Sequence, residues 1–254
     1  MKSFPKSKIV LIVIIILIMS TNGSYAETTL SIPKIGISLG KANTPREVSS
    51  SIEILFLFTI LALAPSILIM MTCFTRIIIV LSFIRKAVGT QTTPPNQIMV
   101  GLALFLTFFV MAPIATEINE KAIVPYTNEQ ISQEEAIEYG MEPLRKFMFK
   151  QTREKDLALF VNISNLDEPA TLKDIPNKVL IPAFIISELK TGFQIGFIIF
   201  IPFIMVDMVV ASTLMSMGMM MLPPVMISLP FKILLFILVD GWNLIIKSLM
   251  LSFN

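Results

Sequence analysis

VLIPAFIISELKTGFQIGFIIFIPFIMVDMVVASTLMSMGMMMLPP, residues 179–224, is the stretch whose reading decides the fold class. It is apolar enough to sit in a bilayer and longer than one crossing needs. Its apolar residues run on continuously instead of alternating, which argues for helix and against a barrel strand. Yet it keeps Glu188, Lys190 and Asp207, and each charge costs about 2.5–3.5 kcal/mol at a membrane centre. It closes on Met215, Met217, Met219, Met220 and Met221, followed by Pro223-Pro224. A segment that served only as a lipid anchor needs neither the charges nor the methionines.

The rest of the composition agrees with a membrane protein. Hydrophobic residues make up 54% of the 254 residues and charged ones 15%, against about a quarter charged in ordinary globular chains. Mean hydropathy is +0.79. In lipid every backbone polar group needs an internal partner, so the continuous runs predict a mostly helical integral membrane protein. The net charge is +2, with no basic face for nucleic acid. Histidine is absent, which removes Ser-His-Asp triads, Cys-His dyads and histidine-ligated zinc. The single cysteine, Cys73, lies in an apolar run and reads as a small hydrophobe.

Residues 1–26 read as a cleavable signal peptide: Lys2, Lys6 and Lys8, an apolar core from Ile9 to Met19, and small residues around Ser24-Tyr25-Ala26. Removing them takes away three lysines and no acid, so the net charge becomes −1. Residues 27–51 read as a polar N-terminal arm. Residues 52–116 read as a first helical hairpin, its first stretch Ile52 to Ile84 kinked at Pro65 and its second running from Ile98 to Ile114. The loop between them holds Arg85, Lys86 and Pro94-Pro95, a cytoplasmic signature by the positive-inside rule. Residues 117–181 form an outer-side segment. Ser132 to Glu135 is a capping box there, and Ile137, Met141, Leu144 and Met148 recur at helical spacing. Residues 182–254 read as a second helical hairpin around the methionine-rich loop. Gly89 and Gly218 each stand five residues before a double proline, a weak internal echo.

Three roles compete for the charges. An acid pair such as Asp207 and Asp240 could act in proteolysis, but the glycine and tyrosine context of intramembrane aspartic proteases is missing. Intramembrane acids also mark ion and proton relays, so a small-ion or proton transporter using Asp207, Asp240 and Glu188 is the alternative. The third role is structural: Arg76, Glu188, Lys190, Asp207, Lys232 and Asp240 set helix register, with Glu188 expected on Lys232 and Asp207 on Arg76. The methionines could fill gaps in a core, bind Cu(I) through thioethers, or form a flexible apolar gasket.

Several strings resemble the FliP family of flagellar type III export gate proteins. They are Pro182–Phe197, Ile201–Asp207, Gly218–Pro224, Leu229–Lys232 and Leu238–Trp242, with Arg76–Leu81, Pro94–Gln97, Pro143–Phe147 and Gln151–Arg153. The resemblance covers nearly everything after residue 50. It implies a non-enzymatic, all-α pore-forming subunit without cofactor or metal, assembled as a pentameric ring with FliQ and FliR, beside FlhB and FlhA. Unfolded flagellar subunits would pass through this ring in the bacterial cytoplasmic membrane, at the flagellar basal body. Much of the gate would stand on the outer, periplasmic side. On the same resemblance Met219, Met220 and Met221 are the pore gasket, and Phe147 and Phe149 are candidates for the plug. The chain has no nucleotide-binding loop, so export energy is expected from partners or the proton gradient.

Overall fold

A computed structural model describes residues 45–90, 92–164, 171–219 and 221–253. The expected signal peptide and Met220 lie outside these residues, as does the arm up to residue 44. The chain divides into compact units of residues 1–52 and 53–254. Of the first unit only the opening of a helix is described, and that helix already begins at Pro45 within the expected arm.

Every regular element among the described residues is helical. In order these are α1 (Pro45–Met70), α2 (Phe74–Val88), α3 (Asn96–Ile118), a π-turn (Asn119–Ile123), α4 (Val124–Thr127), α5 (Gln133–Gln151) and α6 (Glu154–Ile163). A 3-10 turn (Leu172–Asp174) then leads to α7 (Asn177–Ser216), α8 (Pro224–Leu238) and α9 (Gly241–Leu251). Among the described residues two runs are long and apolar enough to cross a bilayer: Asn96–Thr127, which continues through the π-turn, and α7 with its 40 residues. At 1.5 Å per residue α7 is about 60 Å long, twice a hydrocarbon core of about 30 Å. Helices α8 and α9 qualify only as a pair, bent by 63°.

The first and last apolar stretches are therefore each two helices. The first breaks at Thr72, and Pro65 sits inside α1. The Thr72 hydroxyl donates to the Ile69 carbonyl at 3.1 Å and accepts from the Phe74 amide at 3.4 Å. A side chain thus takes over from the helix ladder. The last stretch breaks at Asp240, whose φ of +48° lies in the left-handed region. Asp tolerates that region better than most residues. The next residue has to be glycine, because a Cβ on Gly241 would lie 2.4 Å from the Phe236 ring. Trp242 then meets the same ring edge-on at 5.5 Å.

Helix α2 is the centre of the packing. Ile77, Val80, Leu81, Ile84, Ala87 and Val88 are buried at three- and four-residue spacing, against α3, α7 and α8. The first half of α7 answers with Leu180, Ala183, Phe184, Gly192 and Gly196 on its buried face. The two glycines, four apart, let the helices approach closely. A Cβ on Gly196 would come within 2.4 Å of the Phe83 ring, and one on Gly192 within 3.1 Å of Ile79. Phe83 is held edge-on by Phe193 at 5.5 Å and Phe200 at 6.5 Å, so it has little room to yield. The expected capping box is present: Ser132 accepts from the Glu135 amide at 3.2 Å while Glu135 accepts from the Ser132 amide at 2.8 Å.

Much of the remaining surface is apolar. Phe105, Phe108 and Phe109 of α3 are 70–75% exposed, and Phe197, Ile198, Met205 and Met208 of α7 are exposed as well. Patches of this extent suit lipid or neighbouring protein, not water.

The glycine contact yields a signed test. Gly196→Ala should lower thermal stability of the detergent-solubilised chain by about 1–3 kcal/mol through overpacking. In a Phe83→Ala background the same change should turn stabilising, because alanine is worth about 1 kcal/mol over glycine in a helix. Equal effects in both backgrounds would show that the Phe83 contact is not what requires glycine.

Candidate functional site

Among the described residues the most heavily bonded side chain is Arg76, in the first turn of α2. It is 2% exposed, and its guanidinium has five N–H donors to satisfy. Nε donates to Glu188 Oε2 at 3.0 Å, and Nη2 donates to Glu188 Oε1, closing a two-pronged pair with α7. Nη2 also donates to Gln151 Oε1 at 2.9 Å. Nη1 reaches the Ser252 carbonyl at 3.1 Å and the Ser252 hydroxyl at 3.2 Å. The Phe253 ring lies under the guanidinium, 4.2 Å from centroid to Cζ. Gln151 Nε2 in turn donates to the Phe253 carbonyl at 3.0 Å. One arginine thus ties together α2, the end of α5, the middle of α7 and the segment after α9.

A second pair lies further along α7. Asp207 accepts from Lys232 Nζ of α8 at 2.6 Å and from the Ser228 hydroxyl at 2.5 Å. Lys232 and Ser228, four apart on α8, are both buried and grip the two oxygens of one carboxylate. The sequence reading chose these four charged residues but matched them wrongly: Arg76 takes Glu188, and Lys232 takes Asp207. The reason lies along α7. Nineteen positions separate Glu188 from Asp207, about 28 Å of helix, and each acid meets the base that its own level of the bundle supplies.

The other two charges are placed differently. Lys190 is exposed on α7. Asp240 is exposed at the corner between α8 and α9, outside both helices. A third polar junction was not foreseen. Asp156 of α6 accepts from the Ser187 hydroxyl at 2.7 Å and from Arg153 Nη2 at 2.6 Å. The Ser187 hydroxyl accepts from the Arg153 amide at 3.1 Å. Burial pushes the Asp156 carboxyl up, but the Ser187 hydroxyl, Arg153 and the charge of Lys190 outweigh it and hold it below the usual carboxylate range. Arg145 forms a similar clasp, with Asn177 and the carbonyls of Leu172, Lys173 and Ile175.

The methionine turn closes α7. Gly218, at φ +73°, donates to the Met215 carbonyl at 3.0 Å, and Met219 donates to the Leu214 carbonyl at 3.0 Å. This crossed pair of bonds is a Schellman ending, which needs a left-handed residue best supplied by glycine. Gly89 ends α2 in the same left-handed region, at φ +87°, so the two glycines of the internal echo share a backbone role. Met215 and Met217 point outward, Met219 is 40% exposed and Met221 is 98% exposed. Phe147 is buried and meets Phe184 edge-on at 5.9 Å. Phe149 is half-buried beneath Arg145, 5.3 Å from ring centroid to Cζ.

The partners that sequence reasoning missed are Gln151, Ser252, Ser228, Asp156 and Ser187. Each is uncharged or lies outside the long apolar runs. For Gln151 the one available signal was that Gln151–Arg153 is among the family-like strings.

Double-mutant cycles check the pairing. Removing one member of either pair should cost about 3–5 kcal/mol, because it strands a buried charge. Arg76 with Glu188, and Asp207 with Lys232, should couple by more than about 1 kcal/mol, whereas Arg76 with Asp207 should add independently. Strong coupling in the crossed combination would overturn the assignment. Asp156 carries a pH prediction. Its carboxyl titrates lower in the folded chain than in the unfolded one, so its stabilisation is complete above the unfolded value, about 3.9. It is lost as pH falls through the folded value. Asp156→Asn should therefore be less stable at pH 7 and show a shallower acid decline in denaturation series from pH 7 to 3. Parallel curves for the two proteins would remove this role.

The profile of the FliP family matches residues 57–249. The flagellar biosynthetic protein FliP of Bacillus subtilis (strain 168) is 62% identical over 217 residues, covering 85% of this chain and 98% of its own length. That of Pectobacterium carotovorum is 57% identical over 203 residues, covering 80% of this chain and 79% of its own. The FliP of Aquifex aeolicus is 46% identical over 241 residues, 94% of this chain and 98% of the relative. The match takes in Arg76, Glu188, Asp207, Lys232 and the methionine turn, and by it this chain belongs to the FliP family.

Proposed function

We propose that this chain is a pore-forming subunit of the flagellar protein-export gate in the bacterial cytoplasmic membrane, with part of its mass on the outer side. Copies of the chain form a ring, pentameric by the resemblance, with FliQ and FliR and in contact with FlhB and FlhA. Unfolded flagellar subunits pass through the ring. The family and the names of the relatives support the system. The observation that carries the pore reading is the methionine turn: unbranched apolar side chains, outward-facing, on a backbone that satisfies its own hydrogen bonds. Methionine adapts its shape cheaply, which suits a seal that must close on itself and yield to a passing chain.

In this reading Met219, Met220 and Met221 form the gasket. The plug role falls to Phe149 sooner than to Phe147, since Phe147 is engaged with Phe184 in the core. Arg76, Glu188, Asp207 and Lys232 act as register pins. A transporter would need an acid free to exchange a proton or ion. Of the three acids such a transporter would use, Glu188 and Asp207 are each closed by a cation of the same chain, which favours the structural role for those two; Asp240 is exposed at the α8–α9 corner and has no ion pair among the described residues.

Replacing Met219, Met220 and Met221 together with alanine should leave ring assembly intact and make the reconstituted complex leak ions. Conductance in planar bilayers and the size of the detergent-extracted complex measure the two effects. A variant complex as tight as the parent would remove the gasket.

A further inference from the structure

Five of the seven residues 215–221 are methionine, and Met226 follows on α8. Four methionines elsewhere fill the core: Met71, Met99, Met111 and Met148 are all buried. At the turn the order is reversed. Met215, Met217, Met221 and Met226 are 63–98% exposed. An apolar seal does not itself need sulfur, because leucine replaces methionine with little change in volume. What the thioether adds, beyond flexibility, is chemistry. It takes up one oxygen atom to become a polar sulfoxide, and reductases restore it.

The surroundings let a reagent dissolved in water reach these sulfurs. From Phe197 to Val209 every exposed side chain of α7 is apolar, whereas Ser212, Thr213 and Ser216 are exposed beside Met215 and Met217. Hydroxyls interleaved with thioethers suit contact with water better than a dry apolar contact, where each would need a partner. The backbone beneath is fixed without the side chains, by the bonds from Gly218 to Met215 and from Met219 to Leu214. Oxidation therefore changes the surface of the turn and leaves its backbone bonds in place. Given the gasket role proposed above, on which this rests, we propose that the methionine turn is a reversible oxidation site. Hydrogen peroxide converts its exposed thioethers to sulfoxides and so opens the seal. The sulfur lone pair attacks one peroxide oxygen, the O–O bond breaks, that oxygen stays on sulfur and the other leaves as water. Sulfur gives up two electrons and the peroxide takes them. In the reverse step two thiols become a disulfide and the sulfoxide oxygen leaves as water. A sulfoxide oxygen accepts hydrogen bonds and holds water, which is what a gasket has to exclude.

The test treats the assembled complex, extracted in mild detergent, with hydrogen peroxide. Peptide mass spectrometry should find one added oxygen on each of Met217, Met219 and Met221, while Met99 and Met148 stay unmodified. Met205 and Met208 are also exposed in the single chain, but they lie on the apolar ridge of α7 and should lag behind the turn. In planar bilayers the conductance of the treated complex should rise to that of the variant with alanine at Met219, Met220 and Met221. Methionine sulfoxide reductases supplied with a dithiol should bring it back. Met217→Leu, Met219→Leu, Met220→Leu and Met221→Leu together should abolish the response to peroxide, whatever the starting conductance, which separates the turn from oxidised partner proteins. Elution volume confirms assembly, and Met219→Leu with Met221→Leu serves if the fourfold variant fails to assemble. Sulfoxide spread evenly over turn, ridge and core, or a leucine variant that responds like the parent, overturns the proposal. So does a fully oxidised turn with unchanged conductance beside an alanine variant that leaks. An alanine variant as tight as the parent would instead remove the gasket, and the sulfoxide pattern would then decide the oxidation site by itself.

Discussion

A guanidinium taken out of water must keep all of its hydrogen bonds, and the bundle is arranged so that Arg76 does. Desolvating a charge costs several kcal/mol even after relaxation, and each stranded donor adds to that. Glu188 supplies the countercharge and two acceptor atoms, but that leaves three donors, and these are met from Gln151 and Ser252. The acceptors come from parts of the chain 75, 112 and 176 residues away from Arg76. None of those segments can shift without opening a bond to a buried charge. A purely apolar core would tolerate sliding along the helix axes, whereas this constellation permits one register.

That register also depends on how near α2 and α7 come. The two glycines of α7 remove the side chains that would separate the helices, and the rings of Phe83 and the branches of Ile79 occupy the space. Close approach at Gly192 and Gly196 and charge pairing at Glu188 lie within about two turns of α7. The small residues set the distance and the ion pair sets the level. Further along, Asp207, Ser228 and Lys232 repeat the logic between α7 and α8, where the helices meet on the way to the methionine turn.

Much of this was legible in the residues. Continuous apolar runs required helices, the capping box marked the start of α5, and four of the six flagged charges proved to be joined in pairs. The pairing itself was not legible, because periodicity says which face a residue occupies but not which neighbour arrives at its level. Helix breaks were less legible for a related reason. The first stretch carries Pro65 inside α1 and is interrupted further on, at Thr72, whose hydroxyl bonds the Ile69 carbonyl. Asp240 looked like a charge within a helix and is a left-handed corner, a distinction that depends on the Phe236 ring beneath Gly241. The polar partners Gln151 and Ser252 acquire their role only through tertiary contact with an arginine elsewhere in the chain.

The closed pairs bear on how this subunit responds to voltage. A unit charge moved across a membrane gains or loses about 2.3 kcal/mol per 100 mV, and that work is what drives a voltage sensor. Arg76 with Glu188, and Lys232 with Asp207, each sum to zero. Helices that carry both members of a pair together move no net charge through the field. These four side chains then leave the motions of the bundle uncoupled from the membrane potential, so the chain is electrically silent at those positions.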